Sequence, residues 1–594
     1  MPYSWRRPCR GSLSSFSKPE CVIGLKGLVI SRASGTADTP RAHTFNPFAF
    51  ECLRDIGIED IALQQATRGP VFQSMRWSRS LIGEEYGKVR AWGEDPSSMG
   101  NTAAVSPCEY AELTQSQLEP LLVRYISHHN FNVRFSTEII GIERVRGEKD
   151  TIFFICTVHD HISDSQFKIR TRFLFGADGA RSHVAHSLGF SFISKPSGKK
   201  ACNVLFRADL GHLMCDERRF GINWVLNPER TTFFGLVAQL RVVRPWKEWI
   251  LVAFGQDDSN PFDGMTPQNP ELIDCIREVI GDHSINIEIL RLDPWTVRES
   301  IAEEYSVADA NAFLLGDAAH RHPPAFGLGS NTCVQDAYNL AWKVAYVSRG
   351  FAGPKLLSSY TKERQPVGDM LVREANNGIR AHVDVWGAVG MFAPSPEEGA
   401  KQLSKLSEPT VEGANYRERL HTALDQIGQE LRSLGAAYNQ WYISTAVYLD
   451  DEADSRPLLR GNPITDIQIS TYPGSRVPHA WVDVPTRGKM ISTQDLAGKG
   501  AFCLFFGVGG HGWKTAAKKI SSTTGIPINV YGIGFGLDYI DVYRDWYSKR
   551  GVEDGGCVLV RPDRFVAWRS SRLVPDCESK LMHVLNTILC RDEL

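Results

Sequence analysis

The segment NAFLLGDAAHRHPPAFGLGSNTCVQDAYNLAWKVA, residues 311–345, decides the fold of this chain. A short apolar strand, Phe313–Leu315, leads into Gly316-Asp317, a loop rich in Pro and Gly, and a helix that opens near Ser330-Asn331. Gly350 ends that helix, whose predicted buried face consists of Val334, Ala337, Ala341, Val344 and Ala345. A strand, a glycine-rich loop and a helix in this order are typical of a cofactor-binding α/β unit.

The chemistry of the segment also points to a cofactor. Asp317, at the carboxyl end of a strand, can accept hydrogen bonds from a ribose or ribityl hydroxyl. Gly327 and Gly329 let the backbone approach a flat ring closely. The following helix offers free N–H groups and the positive end of its dipole. An ordinary strand–loop–helix would explain Gly316-Asp317 alone, but it does not explain the whole run.

A second motif, FLFGADGARSH at residues 173–183, ends a strand in the Asp178-Gly179 turn. With GDAAHRHPP, GLGSN and QDAYNLAWK, it closely resembles the class A flavoprotein aromatic hydroxylases, in particular their phenol hydroxylase and chlorophenol monooxygenase branch. The resemblance implies FAD as a cofactor. It also implies that FAD is bound by Asp178, Gly179, Gly316, Asp317, Pro324, Gly327, Leu328, Gly329, Ser330 and Asn331.

The segment GLKGLVISRASGTADTPRAHTFN, residues 24–46, is similar to the second strand and the P-R-A loop of the same family. Ser31 stands where the family has a ribose-binding acid, and Arg41 would contact cofactor phosphates or the nicotinamide nucleotide. The resemblance also brings Gln115 and Arg124 to the flavin. The first strand and its glycine-rich turn do not appear in residues 1–23, which are irregular, basic and rich in serine, so we expect a truncated or replaced start.

The C-terminal block is similar to the thioredoxin-like extension of that branch, on PGSRVPHAW (473–481), FFGVGGHGWKTAA (505–517), DYIDVYRDW (538–546) and GCVLVRPDRFVAWR (556–569). It has no C-x-x-C at a helix start, so we expect no redox function. Gly507–Gly512 satisfies G-x-G-x-x-G, but no acid ends the following strand, INVY at 528–531. A nucleotide site there is therefore a minor alternative.

The predicted fold class is α/β, a Rossmann-like FAD-binding core with an inserted antiparallel substrate-binding sheet and a thioredoxin-like C-terminal domain. The predicted boundaries are 1–23 for the irregular start, 24–380 for the core with its insert at about 190–300, 381–460 for a helical segment, and 461–594 for a linker and the last domain. Local patterns predict helices over 46–57, capped by Asn46, and 116–128, with Ser116 and Glu119 at capping-box spacing, and a strand over 131–142.

The composition of the chain limits the classes of partner that it can be expected to bind. The chain has 594 residues and a formal net charge of −2, which favours neither nucleic acid nor a membrane surface. No apolar run approaches the roughly 18 residues of a membrane span. The 13 cysteines are scattered without metal-type pairing, so we expect reduced thiols in a cytoplasmic protein. His320 and His322 lack a third ligand nearby, and no metal site is predicted.

The resemblance implies an FAD-dependent monooxygenase that uses NADPH and O₂ to hydroxylate a small phenolic substrate, such as a polyketide of secondary metabolism. No catalytic side chain is identified by the sequence, which also leaves open a homodimer, NADH in place of NADPH, and ring epoxidation or Baeyer–Villiger insertion. Two alternatives come from other classes. The chain could be a flavin-free, non-catalytic family member or a misassembled fragment, or it could be a nicotinamide-dependent dehydrogenase that uses Gly507–Gly512.

Overall fold

The structure is a computed structural model that describes residues 25–69, 71–72, 74–147, 151–196, 198–215, 218–229, 237–255, 259–307, 311–486 and 488–591. The expectations about residues 1–23 lie outside these described residues. The same holds for the glycine-rich turn that the family resemblance places before residue 25.

The chain begins with short elements of mixed type. In order they are β1 Gly27–Ile30, β2 Thr44–Phe45, α1 Pro47–Asp55, α2 Glu59–Gln65, β3 Ser74–Ser78, β4 Glu85–Arg90, α3 Asn101–Val105, β5 Ala111–Glu112, α4 Gln115–Ser127, β6 Phe131–Arg134, β7 Thr137–Arg146, β8 Ile152–Asp160, β9 Ser165–Thr171 and β10 Leu174–Gly176. The middle part contains α5 His183–Ser187, β11 Phe192–Ser194, β12 Lys200–Arg207, β13 Ile222–Leu226, β14 Val237–Arg244, β15 Glu248–Phe254, α6 Pro270–Ile280, β16 Glu288–Thr296 and β17 Ser300–Ala302.

A helical part and a final mixed part follow. The first contains β18 Ala312–Leu314, β19 His320–Arg321, α7 Gly329–Ser348, α8 Ser359–Ala388, α9 Pro396–Ser404, α10 Val411–Leu431 and α11 Leu434–Tyr438. The second contains β20 Trp481–Val482, β21 Ile491–Ser492, α12 Thr493–Leu496, β22 Phe502–Phe506, α13 His511–Thr524, β23 Ile528–Gly532, α14 Asp545–Lys549, β24 Cys557–Val560, β25 Val566–Ser570 and α15 Cys577–Ile588.

Parallel strand pairs form the cofactor side of the molecule. β1 pairs in parallel with β6, and β10 pairs in parallel with β18. Because the chain enters both β10 and β18 from the same end, the turns after them, Ala177–Gly179 and Leu315–Asp317, lie at one edge. This is the edge at which α/β folds bind cofactors.

A seven-stranded sheet occupies the middle of the molecule, in the order β16-β12-β15-β14-β13-β3-β4. Five of its strands come from the predicted insert, but β3 and β4 come from residues 74–90, and β3 runs parallel to β13. The expectation of a sheet built by residues 190–300 alone was therefore too narrow. α6 packs on the outer face of the sheet, while aromatic residues of its inner face pack against α8 and α10.

The C-terminal part contains a four-stranded sheet in the order β23-β22-β24-β25. β22 and β23 are parallel and are joined by α13, whereas β24 and β25 are antiparallel and are followed by α15. Tyr472 to Ala480, predicted to lie in a linker, are buried against this sheet and α14. The extended stretch packs as part of the domain because its apolar residues, such as Val477 and Ala480, complete a hydrophobic core.

Three local expectations were wrong in detail. The capping box of α4 is formed by Thr114 and Gln117, whereas Glu119 accepts a hydrogen bond from the Ala37 amide at 2.6 Å. The expected strand over 131–142 is broken at Ser136, whose φ of 47° sends β6 and β7 into different sheets. In α7, Ala337 and Ala341 are exposed, because the helix buries a polar stripe instead.

The helix at 46–57 is confirmed. Asn46 is its N-cap and accepts a hydrogen bond from the Ala49 amide, Pro47 occupies the first helical position, and Gly57, with a φ of 79°, follows the end. Within the part of the chain that the structure describes, none of the helices combines the length and the hydropathy that a bilayer crossing requires.

A buried ion-pair network joins the two large parts of the chain. Arg561, in the turn between β24 and β25, donates to Glu363 of α8 at 2.6 and 2.8 Å. Glu363 also accepts from Lys343 of α7 at 2.7 Å, and Asp563 accepts from Asn339 at 3.1 Å. The four charged side chains are at most 1% exposed. Two cations and two anions are thus enclosed together, so removing one leaves a buried charge uncompensated.

Arg561→Met therefore tests the network. We expect a loss of roughly 3–5 kcal/mol of stability, because Glu363 and Asp563 would remain buried without their guanidinium partner. The matched control is Arg373→Met on the same helix as Glu363, where an exposed arginine pairs with Asp369 and contributes about 0–1 kcal/mol. Thermal and urea unfolding midpoints measure both, and equal shifts in the two variants would contradict the role given to Arg561.

Candidate cofactor and substrate site

The turn after β18 is fixed from below by a buried carboxylate. Gly316 adopts a φ of 57°, and its N–H donates to Asp336 of α7 at 3.2 Å. Asp336 also accepts from His320 at 3.0 Å and from Arg364 at 2.8 Å, and all three side chains are fully buried. Burial alone would raise the pKa of Asp336, but Arg364 and His320 lower it below its ordinary value. This network leaves Asp317, the next residue, exposed to accept a ligand.

The two strand-end acids, Asp178 and Asp317, lie in the turns that follow the paired parallel strands β10 and β18. Asp178 is exposed at the turn after β10, where its carboxylate caps α5 by accepting the Val184 amide at 3.1 Å. Gly179 has a φ of 77°, with open space where a Cβ would stand. Arg321 lies between the two turns: burial and Arg298 lower its pKa, while Asp317 and Asp178 oppose that shift.

Asn331 connects the loop, α7 and the N-terminal segment. Its side-chain amide donates to the Gly327 carbonyl at 2.6 Å and to the Thr44 carbonyl at 2.9 Å. Its oxygen accepts from the Asn46 amide at 2.9 Å. Since Asn331 is only 1% exposed, each of these three backbone groups depends on it for a buried partner.

The loop before α7 is shaped for close backbone approach. Gly327 has a φ of 61°, and a Cβ on Gly329 would stand 3.1 Å from the His322 ring. Pro324 is exposed at the tip, Leu328 is buried below it, and Ser330 is half-buried in the first turn of α7. The loop therefore presents backbone and the amino end of a helix of 20 residues on its outer side.

His320 and His322 serve this loop. Their rings lie 6.1 Å apart in a stacked arrangement, and burial with His320 nearby lowers the pKa of His322 to about 4. The described residues contain no cluster of His, Cys, Asp or Glu side chains that could hold a metal ion.

The structure brings Gln115 to the P-R-A loop, which contains Arg41, and leaves Arg124 apart from it. The Gln115 amide donates to the Ala42 carbonyl at 3.0 Å, and its side chain donates to Glu119 at 2.6 Å. Arg41 is exposed beside this junction, and Arg124 lies exposed more than two turns along α4. Ser31, at the acidic position, accepts the Ala33 amide at 3.3 Å.

Sequence reasoning missed a buried set of charged groups formed by His43, Glu112 and Arg241. His43 Nδ1 lies 3.3 Å from Glu112 Oε1, and Arg241 donates to the same oxygen at 2.8 Å. Arg241 also donates to Thr44, whose carbonyl is held by Asn331. Burial and Arg241 lower the pKa of His43, so the imidazole is neutral near pH 7. The histidine beside Arg41 in PRAH was the available signal, but its partners come from distant strands.

A cavity of about 350 Å³ lies between the inner face of the seven-stranded sheet and α8. It is lined by Pro196, Gly198, Lys199, Val237, Phe254, Gly255, Val297, Arg298, Glu299, Asn376, Ile379, Arg380, Val383, Trp386 and Phe392. Val237 and Arg241 lie on the same face of β14, because side chains alternate along a strand. The face of β14 that lines the cavity at Val237 therefore also carries Arg241 of the set formed with His43 and Glu112.

Comparison with known proteins agrees with this geometry. A family model described as FAD binding domain matches residues 21–375, and one described as aromatic-ring hydroxylase, C-terminal, matches residues 470–591. The chain belongs to the FAD-dependent aromatic-ring hydroxylases. Both recognised segments, at Asp178 and at Gly316–Asn331, fall within the matched FAD domain.

Relatives and solved structures of these hydroxylases cover nearly the whole chain. 2,4-Dichlorophenol 6-monooxygenase of Delftia acidovorans is 34% identical over 96% of this chain and 94% of the relative. Phenol 2-monooxygenase of Pseudomonas sp. strain EST1001 is 34% identical over 95% of this chain and 89% of the relative. The crystal structure of the flavin-dependent monooxygenase PieE with FAD and substrate is 31% identical, covers 96% of both chains and has a TM-score of 0.88.

Asn331→Ala tests the junction. We expect FAD affinity to fall at least roughly tenfold, because two buried backbone groups and the half-buried Gly327 carbonyl lose their partner and each buried unsatisfied group costs about 1–3 kcal/mol. Flavin fluorescence titration measures the affinity. Asn415→Ala, at an exposed position of α10, is the control. Unchanged affinity in the Asn331 variant would show that the junction does not shape the flavin site.

Proposed function

We propose that this FAD-dependent monooxygenase binds its flavin along the turns after β10 and β18 and hydroxylates a phenolic ring held in the cavity between β14, β15 and α8. The observation that carries the proposal is the continuity of the two regions. Asn331 holds both the Gly327 carbonyl of the loop and the Thr44 carbonyl, and Thr44 accepts from Arg241 on the face of β14 that lines the cavity.

The residues present fit a flavin. Asp317 offers an exposed carboxylate for a hydroxyl group, and so does Asp178, whose oxygens also accept from the Ser182 hydroxyl at 2.5 Å and the Val184 amide at 3.1 Å. Without side chains on Gly327 and Gly329, Thr44 and His322 can pack directly against the backbone of the loop. The amino end of α7 favours negative charge on the ring edge above it. Arg41 is exposed and suited to a phosphate. The other residues that we propose to bind FAD are Pro324, Leu328, Ser330, Gly179, Gly316, Gln115 and Arg124.

When bound, FAD supplies the transfer of two electrons from NADPH and the activation of O₂. The protein supplies position and a dry site. Phe254 and Trp386, 5.9 Å apart, form an aromatic wall against which a phenolic ring can pack. The apolar side chains on this side of the cavity also limit the access of water to the reacting ring.

His43 is the proposed proton acceptor for the phenol. Its neutral imidazole can take the phenolic proton, which makes the ring more electron-rich, and Glu112 beside Nδ1 stabilises the imidazolium that forms. Arg241 holds Glu112 in place and, with His43, keeps its pKa low although burial alone would raise it.

The C-terminal domain is proposed to be thioredoxin-like and structural. Its strand order and the positions of α13 and α15 support this assignment. Cys503 and Cys557 lie in adjacent strands, and burial raises the pKa of both thiols. Protonated thiols in a core do not support redox exchange. We also propose the domain boundaries that the sequence predicts and a homodimer.

The rival functions are weaker. The relatives are named monooxygenases over nearly the full chain, which disfavours a non-catalytic member. The dehydrogenase reading needs an adenosine site at Gly507–Gly512. Asp538, the nearest acid after β23, is already occupied by the Gly532 amide at 2.8 Å and Lys514 at 3.0 Å.

The purified chain should show a stoichiometric flavin absorption band and substrate-stimulated NADPH oxidation. One oxygen atom from labelled O₂ should enter a phenolic substrate, such as a polyketide phenol. A missing flavin band, or uncoupled oxidation with every phenol tried, would contradict the proposed function. An oxygen found in an epoxide or a lactone would instead assign one of the other two oxygenations.

His43→Gln should lower kcat/KM by about 10²- to 10⁴-fold, the usual contribution of a general base. Because burial lowers the pKa of His43 from 6.5, protonation in acid removes the base, so the acid limb of the wild-type profile lies below pH 6.5. That limb should be absent from the variant. His421→Gln, at an exposed position of α10, is the control. An unchanged acid limb in the His43 variant would assign the base elsewhere.

Gly509→Val separates the monooxygenase from the dehydrogenase. Gly509 has a φ of 85° with open space at its Cβ position, so the variant strains one turn without filling a core. We expect NADPH oxidation and its KM to stay within about twofold of wild type, since the proposed site lies in the other domain. Loss of NADPH oxidation in a folded variant would support the dehydrogenase.

A further inference from the structure

The loop between Pro324 and Gly327 contains a residue in a backbone conformation that its side chain does not favour. The Gly327 amide donates to the Pro324 carbonyl at 3.3 Å, which closes a turn with Phe326 at its third position. Phe326 has a φ of 64° and a ψ of −12°. Glycine is the usual residue at this position of a type II turn, so a phenylalanine here must be held by its surroundings.

Glu430 of α10 supplies one of the restraints. Its Oε1 accepts the Phe326 amide at 2.7 Å, and its side chain is 9% exposed. The second restraint is space for the ring, since a Cβ on Gly378 would stand 2.8 Å from Phe326 Cε2. The carboxylate therefore acts on the backbone of the loop, separated from Phe326 by 104 residues of sequence.

His382 of α8 holds the other oxygen of this carboxylate. His382 Nε2 lies 3.3 Å from Glu430 Oε2, and the imidazole packs on Trp224 with ring centroids 4.5 Å apart. Trp224 in turn lies within 6.0 Å of Phe254 and 5.8 Å of Trp386, which line the cavity. A buried chain of contacts thus runs from the cavity wall through the His382–Glu430 pair to the loop.

We propose that Glu430, oriented by His382, is a positioning residue that fixes the Pro324–Gly327 turn against the flavin ring and so keeps NADPH oxidation coupled to hydroxylation. This inference rests on the proposed flavin site. Neither residue contacts a reacting atom in the proposed mechanism. If the turn were displaced by about 1 Å, the reacting groups would be misaligned and hydroxylation would slow strongly. Electrons then leave by the balanced side reaction NADPH + H⁺ + O₂ → NADP⁺ + H₂O₂.

The test compares two substitutions of Glu430 in the full-length, FAD-loaded chain. Glu430→Leu removes the acceptor, and the hydroxylated product per NADPH should fall about tenfold with matching H₂O₂, while the KM for NADPH stays unchanged. Glu430→Gln keeps an acceptor for the Phe326 amide and should retain the wild-type ratio. Glu418→Leu, at an exposed position of the same helix, is the matched control. If Glu430 acted only through its negative charge, the Glu430→Gln variant would lose coupling as the Glu430→Leu variant does.

A second variant covers failure of Glu430→Leu to fold. His382→Phe keeps the ring against Trp224 and frees Glu430 Oε2, and coupling should fall in the same direction. The proposal is overturned if whichever of Glu430→Leu and His382→Phe folds still forms as much hydroxylated product per NADPH as the wild type. A rise in substrate KM in His382→Phe with coupling intact also overturns it, because the imidazole would then bind substrate. Visible circular dichroism of the bound flavin should change in Glu430→Leu but not in Glu430→Gln, and this readout holds even if no phenol is hydroxylated.

Discussion

The enclosure of Arg561, Glu363, Lys343 and Asp563 is the interaction on which the rest of this structure depends. Desolvating four charges costs several kcal/mol per ion, and only close, mutual hydrogen bonds offset that cost. The geometry meets this condition, because Glu363 accepts from Arg561, Lys343 and Asn339. The turn between β24 and β25 must therefore dock on α7 and α8 in one register. A shift by one residue would leave buried charges unpaired.

That requirement explains the unusual surface of α7. Asn331, Gln335, Asn339 and Lys343 recur every four residues, so they form one stripe along the helix, and all four are buried. Asn331 holds the loop, Asn339 donates to Asp563 of the C-terminal turn, and Lys343 donates to Glu363, which Arg561 of that turn also binds. Asp336, one position beside the stripe, fixes Gly316. One helix thus links the docking of the C-terminal domain to the turns that we propose to bind the flavin.

The sequence was informative where a local pattern determines local structure. Asn46 caps the helix that it was expected to cap, and the strand, loop and helix of residues 312–348 follow in the predicted order, with positive φ at Gly316 and Gly327. The sequence was uninformative where the residues that contact each other lie far apart along the chain. Ala337 and Ala341 were predicted to be buried from apolar spacing alone, yet α7 buries polar residues whose partners lie on other elements, such as Glu363 of α8 and Asp563, which is 224 positions from Asn339. For the same reason His43 gave no indication of Glu112 and Arg241, its partners on distant strands, and the β3–β4 extension of the sheet was not predicted.

The two buried imidazole–carboxylate pairs near the loop show how similar side chains acquire different roles. Glu112 faces the guanidinium of Arg241, so the negative charge is already balanced and His43 can stay neutral and accept a proton. Glu430 faces no cation among the described residues. Its oxygens are taken by the Phe326 amide and by His382. The charge of Glu112 is balanced by Arg241, so His43 beside it is free to accept a proton. Glu430 accepts a backbone N–H and therefore fixes the position of the turn. The first pair therefore suits proton transfer, and the second suits positioning of the turn that the ring must meet.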